Sequence, residues 1–210
     1  MRGNRVFAMH DHEGFVHLPG FVDAPAQAAL VATLRDLVRR APFFTPVMPR
    51  SGRPFSVAMT NLGTLGWVSD RAGYRYQPAH PATGEPWPAI PEAVLAVWRA
   101  VADYPHAPEA CLVNCYRPGT RMGLHRDADE DDLAAPVVSI SLGDTAVFRL
   151  GGPERKAPTR SLRLASGDVV VLGGKTRLAY HGIDRIIVGT STLLRGGGRL
   201  NLTLRRVTKP

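Results

Sequence analysis

The sequence predicts a mainly β fold with flanking helices, and three observations lead there. After residue 110, short β-rich segments follow in close succession, separated by Gly, Pro or Asp. Two amphipathic helical patterns precede them, both in the first half of the chain. The 210 residues are 44% hydrophobic and 21% charged, ordinary for one globular domain with a substantial core. Many short strands in succession make a sandwich or a barrel, such as a jelly roll.

Residues 25–41, PAQAALVATLRDLVRRA, read as the first helix. Asp23 can cap it, Pro25 fits its first turn, and Leu30, Leu34 and Leu37 recur at helical spacing. Arg39 and Arg40 suit the negative end of its dipole. Residues 91–104 read as the second, opened by Pro91, with Val94, Leu95, Val97, Trp98 and Val101 as a broad apolar face. Between them, residues 42–90 are rich in Pro, Gly and aromatics, the composition of a lid or binding loop. There SVAMTNLGTLGW and GYRYQP read as short extended pieces around tight turns. Met59, Trp67, Tyr74 and Tyr76 fall on them, either as local core or as a stacking surface for a substrate. From residue 110 the strand segments are CLVNCY, PVVSISLG, AVFRLGG, RSLRLA, DVVVLGG, RLAYHGI and RLNLTLRRV. There is no internal repeat and no low-complexity tract.

Composition narrows the function. Cys111 and Cys115 alone argue against a disulfide scaffold and fit a reducing, cytoplasmic setting. Their C-x3-C spacing without a second pair argues against structural zinc. No apolar run reaches the roughly 18 residues of a membrane span, and the N-terminal MRGNRVFAMHDHEG lacks a signal-peptide core. The net charge of +8 favours a polyanionic partner such as nucleic acid. Against that basic background, acids gather at Asp127, Asp129, Glu130, Asp131 and Asp132.

That acidic run sits in MGLHRDADEDD. A solvated turn would account for it; a metal site would account for more. On an extended segment His125 and Asp127, two apart, aim at one point. H-x-D alone arises by chance, so a third ligand is needed, and RLAYHGIDR offers His181. Two His and one carboxylate form the facial triad of non-haem Fe(II) oxygenases, with positions left open for O2 and a cosubstrate. Zinc is the alternative metal. His10, His12 and His17, before the first helix, read as surface histidines.

In RLNLTLR, Arg199, Asn201, Thr203 and Arg205 alternate onto one face, and Leu200, Leu202 and Leu204 onto the other. The polar face belongs either to an edge strand in water or to a pocket for an anion. Arg presents a planar fork that matches a carboxylate, so two of them near a metal suit a dicarboxylate. Asn114 and Tyr116 of CLVNCY share a face and can add hydrogen bonds.

Together these motifs resemble the AlkB family of 2-oxoglutarate- and Fe(II)-dependent dioxygenases. The resemblance runs from about TNLGTLGW to the C-terminus, through GYRYQP, PWPAIP, CLVNCYRPG, LHRDADE, VVSISLG, GDVVVLGG, YHGI and RLNLTLR. It implies a single oxygenase domain over residues 1–210. Its core, about 110–210, would be a double-stranded β-helix, the jelly-roll variant. Residues 1–109 or so would form a helical extension with a nucleotide-recognition lid. His125, Asp127 and His181 map onto iron ligands. Asn114, Tyr116, Arg199, Asn201 and Arg205 map onto 2-oxoglutarate contacts, Arg199 at the distal carboxylate and Arg205 at the metal end.

The implied reaction uses Fe(II), 2-oxoglutarate and O2 to hydroxylate an N-methyl group, as on 1-methyladenine or 3-methylcytosine. The hydroxymethyl product releases formaldehyde; succinate and CO2 are the coproducts. By the same resemblance Trp67 stacks on the flipped base, Asp129 contacts its exocyclic amine, Met59 packs beside it, and Tyr74 walls the pocket or meets the nucleic-acid backbone. Arg155 is the basic substrate contact, with Lys156 and Arg160 as neighbouring substitutes. The expected partner is alkylated DNA, single-stranded by preference, or RNA, and the protein is expected to act as a monomer without a membrane. Glu130, Asp131 and Asp132 receive no role and read as a solvated turn. Cys115 departs from the pattern as a small oxidisable residue, but alternation turns it away from Asn114 and Tyr116. The stretch GIDRIIVGTSTLLRGGG reads as a flexible connection. Two other functions compete: an oxygenase of protein, lipid or a small molecule, and a non-enzymatic nucleic-acid binder. The aromatics and the charge favour nucleic acid, and the complete ligand set disfavours a degenerate site.

Overall fold

The computed structural model describes Met9–His10 by their backbone and residues 13–210 in full. In chain order its elements are β1 (Met9–His10), β2 (Phe15–Leu18), α1 (Ala24–Arg40), β3 (Ala58–Gly63), β4 (Gly66–Asp70), β5 (Gly73–Gln77) and α2 (Glu92–Val101). Then follow β6 (Ala110–Tyr116), β7 (Met122–His125), β8 (Val137–Gly143), β9 (Thr145–Leu150), β10 (Arg160–Leu164), β11 (Val169–Leu172), a 3-10 turn (Gly174–Thr176), β12 (His181–Ile187) and β13 (Arg199–Arg205).

Three antiparallel sheets result. The largest has seven strands in the order β1-β2-β11-β8-β13-β6-β3. A four-stranded sheet, β10-β9-β12-β7, faces it, and β4-β5 form a separate hairpin. The two facing sheets are the double-stranded β-helix expected from the sequence.

Alternation along β13 distributes the layers. Leu202 and Leu204 turn to one side of the large sheet, where Val113, Val138 and Ile140 join Leu30 and Leu34 of α1 and Val94 and Trp98 of α2. On the other side, between the sheets, Leu112, Val137, Val170 and Leu172 meet Phe148, Leu150 and Ile183. Each such side chain removed from water stabilises by about 1.5–3 kcal/mol. The polar residues of β13 face this second side, and β13 lies between β6 and β8. It is therefore an interior strand, and the edge-strand reading falls.

α1 begins where expected: Asp23 Oδ1 accepts from Ala26 N at 2.9 Å, and Pro25 sits in its first turn. α2 stops at Val101, short of the expected 104, because Asp103 takes a left-handed φ of 46°. The strand expected over RLAYHGI starts only at His181; the 3-10 turn occupies the chain just before it.

His17 corrects a further expectation. It is 6% exposed in β2, and its Nε2 lies 2.9 Å from Asp168 Oδ2. Asp168 also accepts from Gly20 N and Ala165 N, so it ties β2 to the turn before β11. The side chain of His10 and the whole of His12 lie outside the described residues. The glycine-rich connection after β12 is held rather than loose: buried Asp144 accepts from Thr190 N, Ser191 N and Gly198 N at 2.9–3.1 Å.

Candidate active site

The ends of β7 and β12 meet at the mouth of the double sheet. His181 pairs with His125 across the two strands, followed by a register shift before Ile183. Gly182 makes this approach possible, since a Cβ there would lie 2.6 Å from Met122 O and 2.8 Å from Gly123 O. Asp127 follows β7 by two residues. The ligand atoms of His125, Asp127 and His181 all lie within 4.8 Å of one another. Asp127 Oδ1 is 3.9 Å from His125 Nε2, and Oδ2 is 3.8 Å from His181 Nε2.

Both rings are oriented by their backbones. His125 Nδ1 lies 2.9 Å from Gly123 O, and His181 Nδ1 lies 3.0 Å from Ala179 O. A carbonyl accepts, so each Nδ1 donates and each Nε2 is turned toward Asp127. Burial, and then His125 beside it, push the His181 imidazole down to about 4, so the ring is neutral near pH 7. Burial works to raise the Asp127 carboxyl. Arg205 and the two histidines outweigh it and hold the carboxyl well below the usual carboxylate range. Asp127 Oδ2 is buried and has no hydrogen-bond partner among the described residues. Two Nε2 atoms and one unsatisfied carboxylate oxygen converging on one point fit a divalent iron.

Next to the cluster lies an anion-binding wall. Arg205 Nη2 donates to Asp127 Oδ1 at 2.9 Å. Deeper along β13, Arg199 is 1% exposed, and its Nε and Nη1 have no partner among the described residues. A buried guanidinium without acceptors costs several kcal/mol. A carboxylate would supply them in the fork's own geometry. Burial lowers Arg199 to about 10, which leaves it cationic near neutrality. Tyr116 lies opposite it in register, its hydroxyl pushed up to about 12 by burial and therefore a donor. Asn114 Oδ1 is likewise buried and unpartnered. Asn201 Nδ2 donates to Ser139 Oγ at 2.7 Å. The unpartnered Arg199 guanidinium and the Tyr116 hydroxyl are donors that fit a carboxylate of a short dicarboxylate such as 2-oxoglutarate.

The hairpin β4–β5 forms the opposite wall. Its entry is fixed by Asn61, whose side chain donates to Trp67 O at 2.9 Å and accepts from Trp67 N at 3.0 Å. Tyr74 stacks on Trp67 with centroids 5.6 Å apart and planes 19° apart. The Trp67 indole N–H donates to Asp129 Oδ2 at 2.8 Å, which joins the hairpin to the acidic run.

Every residue predicted for the site lines one cavity of about 620 Å³: the three cluster residues, Asn114, Tyr116, Arg199, Asn201, Arg205 and the buried Met59, together with Trp67, Tyr74, Asp129 and Arg155. Lys156 and Arg160 do not line it, and the Arg160 guanidinium sits over the Phe15 ring at 5.0 Å. Cys115 is absent from the lining too, as alternation predicted.

The solvated-turn reading of the acids holds only for Asp131, which is exposed. Glu130 is 6% and Asp132 4% exposed. Glu130 accepts from the Tyr76 hydroxyl and, at 3.1 Å, from Arg177 Nη2. Arg205 Nε lies 3.3 Å from its Oε1 without hydrogen-bond geometry. Arg177 Nη1 also donates to Asp127 O at 2.7 Å, fixing the backbone of the cluster's carboxylate. Asp132 accepts from the Tyr104 hydroxyl at 2.6 Å. The sequence reading missed Glu130 and Arg177 as supports of the site. The one available signal was the presence of acids beyond those the cluster needs.

The family model described as "2OG-Fe(II) oxygenase superfamily" matches residues 14–205. The chain is 58% identical over 193 residues to an "Alpha-ketoglutarate-dependent dioxygenase AlkB homolog" of Caulobacter vibrioides, covering 92% of this chain and 87% of that protein. It is 45% identical over 188 residues to the "Alpha-ketoglutarate-dependent dioxygenase AlkB" of Escherichia coli, covering 88% and 86%. A shorter match, 34% over 125 residues, joins it to the "tRNA demethylase abh1" of Schizosaccharomyces pombe, covering 59% of this chain and 41% of that protein. Among solved structures, OsALKBH1 superposes with a TM-score of 0.81 at 33% identity, covering 95% of this chain and 99% of that one.

Proposed function

Since this chain belongs to the AlkB family of 2-oxoglutarate- and Fe(II)-dependent dioxygenases, we propose that it removes methyl groups from the ring nitrogens of 1-methyladenine and 3-methylcytosine in nucleic acid, single strands preferred. It is a dioxygenase that uses Fe(II), 2-oxoglutarate and O2. The relatives' names support nucleic acid as the substrate class. The observation that carries the finer reading is the Trp67–Asp129 pair on the wall facing the cluster. An aromatic face and a carboxylate, joined and aimed into one cavity, suit a flat base that carries positive charge once methylated.

In this reading His125, Asp127 and His181 hold the iron. Arg199 takes the distal carboxylate of 2-oxoglutarate, with Asn114, Tyr116, Asn201 and Arg205 along its length. Bound iron and 2-oxoglutarate supply the oxidising power: O2 and 2-oxoglutarate become succinate and CO2 as one oxygen atom enters the N–CH3 group. The protein's part is placement. Trp67 stacks on the base, Met59 packs beside it, Asp129 faces its exocyclic amine, and Tyr74 and Arg155 meet the strand at the mouth. The N–CH2OH product breaks its N–C and O–H bonds: formaldehyde leaves, the ring nitrogen of the cationic lesion regains its lone pair, and the hydroxyl proton goes to water. A base in a duplex must first be flipped at a cost of a few kcal/mol, which favours single strands. The hairpin within residues 1–109 serves recognition, and residues 110–210 serve iron and cosubstrate. The protein acts as a monomer in the cytoplasm. Both cysteines are free, and no helix among the described residues is long and apolar enough to cross a membrane.

The test is anaerobic loading with Fe(II), then 2-oxoglutarate and air, on a single-stranded oligonucleotide bearing one 3-methylcytosine. Mass spectrometry of the oligonucleotide and succinate are followed together. Equal loss of methyl and gain of succinate is expected. Succinate without methyl loss would reject this substrate and keep the oxygenase.

A further inference from the structure

The four-stranded sheet has a second face, turned away from the cavity. Its inner positions are Ala146, Phe148 and Leu150 of β9 and Leu162 and Leu164 of β10. Register then fixes what points outward. Arg163, Val147 and Arg185 form one row across β10, β9 and β12; Ser161, Arg149 and Gly182 form the next. Val147, Arg149, Ser161, Arg163 and Arg185 of these rows line a groove of about 430 Å³, bordered by Thr159 and Asp184.

The groove is cationic by construction. Three arginines face one acid, Asp184, which pairs with Arg185 at 2.7 Å. Arg149 is held in place, with Nε and Nη2 donating to Thr159 Oγ1 at 3.1 and 2.7 Å. Arg163 is exposed, and Ser161 and Thr159 add hydroxyls suited to anion oxygens. Arginines placed around hydroxyls at a groove match a chain of phosphates.

The groove also continues from the cavity. The loop joining β9 to β10 carries Arg155, which lines the cavity mouth, while the strands on either side of it carry Arg149 and Arg163. β12 presents His181 inward and, farther along, Arg185 outward. The row of His181 and Leu150 is three residues from the row of Val147, about 10 Å along the strand.

We infer that this outer groove binds the phosphodiester backbone of the strand whose base occupies the cavity, a few nucleotides from the lesion. The inference rests on the nucleic-acid reading above. A flanking backbone rounds the sheet edge at Arg155 and lies across Arg149, Arg163 and Arg185. The groove therefore acts on long substrates only.

The experiment compares the wild-type chain with Arg163→Ala/Arg185→Ala, both exposed positions, after circular dichroism confirms equal folding. Fluorescence anisotropy measures binding of an unmodified 20-nucleotide single strand across a salt series. The salt slope should fall by about 1.4 for two lost phosphate contacts on a single strand. The kcat/KM on a methylated 20-mer should fall several-fold, while that on a methylated trinucleotide stays unchanged. An unchanged salt slope overturns the groove, as does an equal loss on both substrates. Competition by polyglutamate as strong as that by oligonucleotide at matched charge also overturns it, since the groove would then select no phosphate. If the wild type removes methyl from neither substrate, the proposed reaction fails, while the salt slope still decides the groove.

Discussion

Trp67 donates its indole N–H to Asp129 Oδ2 across 2.8 Å, a bond between residues 62 positions apart. It joins a two-stranded hairpin to the chain just beyond Asp127, and so couples the orientation of the aromatic plane to that of the acid. Trp67→Phe keeps the ring and removes the donor. The KM for a methylated oligonucleotide should rise about fivefold, near 1 kcal/mol, with the KM for 2-oxoglutarate unchanged. Steady-state kinetics on both substrates decides it; equal movement of the two constants would count against a local role.

Asp127→Ala should abolish stoichiometric Fe(II) binding and turnover together, because one of three proposed ligands is lost. Metal analysis after anaerobic loading, beside succinate formation, checks this. Retained iron with full activity would sink the ligand assignment.

Arg199→Lys keeps the charge and loses the fork. A missing charge-assisted bond of about 1.5–3 kcal/mol corresponds to a roughly 10- to 150-fold higher KM for 2-oxoglutarate. An unchanged KM would place the distal carboxylate elsewhere.

Glu130→Ala should destabilise by about 3–5 kcal/mol, since it strips a buried carboxylate from Arg177 and Arg205. Asp131→Ala, one residue on and exposed, should stay within about 0.5 kcal/mol. Urea unfolding of both variants separates a structural acid from a solvated one. Similar midpoints would contradict the contacts of Glu130.

Glu109 accepts from Val207 N, Thr208 N and Thr208 Oγ1 at 2.7–2.9 Å. Burial works to raise its carboxyl, but those bonds from Thr208 and Val207 outweigh it and set it below the ordinary value. A depressed folded pKa means stabilisation that is present above the unfolded value, about 4.3, and lost as pH falls through the folded one. Glu109→Gln should cost about 1–2 kcal/mol at pH 7, and the deficit should shrink as pH falls below about 4. Thermal melts across pH would show it; a constant deficit down to pH 3 would contradict the linkage.

Much of the site could be read from periodicity alone. His125 and Asp127 two apart, and the polar residues of β13 at every second position, report a face whatever the strand pairs with. His17 and Glu130 could not be read that way. The partner of His17 is Asp168, 151 residues later, and Glu130 is buried by Tyr76, Arg177 and Arg205 from three distant segments. A single polar residue has no period of its own, so only tertiary contact decides whether water or protein satisfies it. β2 escaped for a related reason. Four residues, FVHL, give too short an alternation to stand out, and the strand owes its place to β11 beside it.

β13 has a paired strand on each side, whereas β4 and β5 pair as strands only with each other and are tied to the rest by Asn61 and Val47. Backbone amides of β13 should therefore exchange with solvent only when the whole domain opens, and those of the hairpin through small local openings. The two walls of the cavity thus differ in how often they come apart. The arginines sit on the strand expected to exchange slowest, and Trp67 on a hairpin expected to open before it. Opening of the hairpin would widen the cavity while Arg199 and Arg205 keep their places.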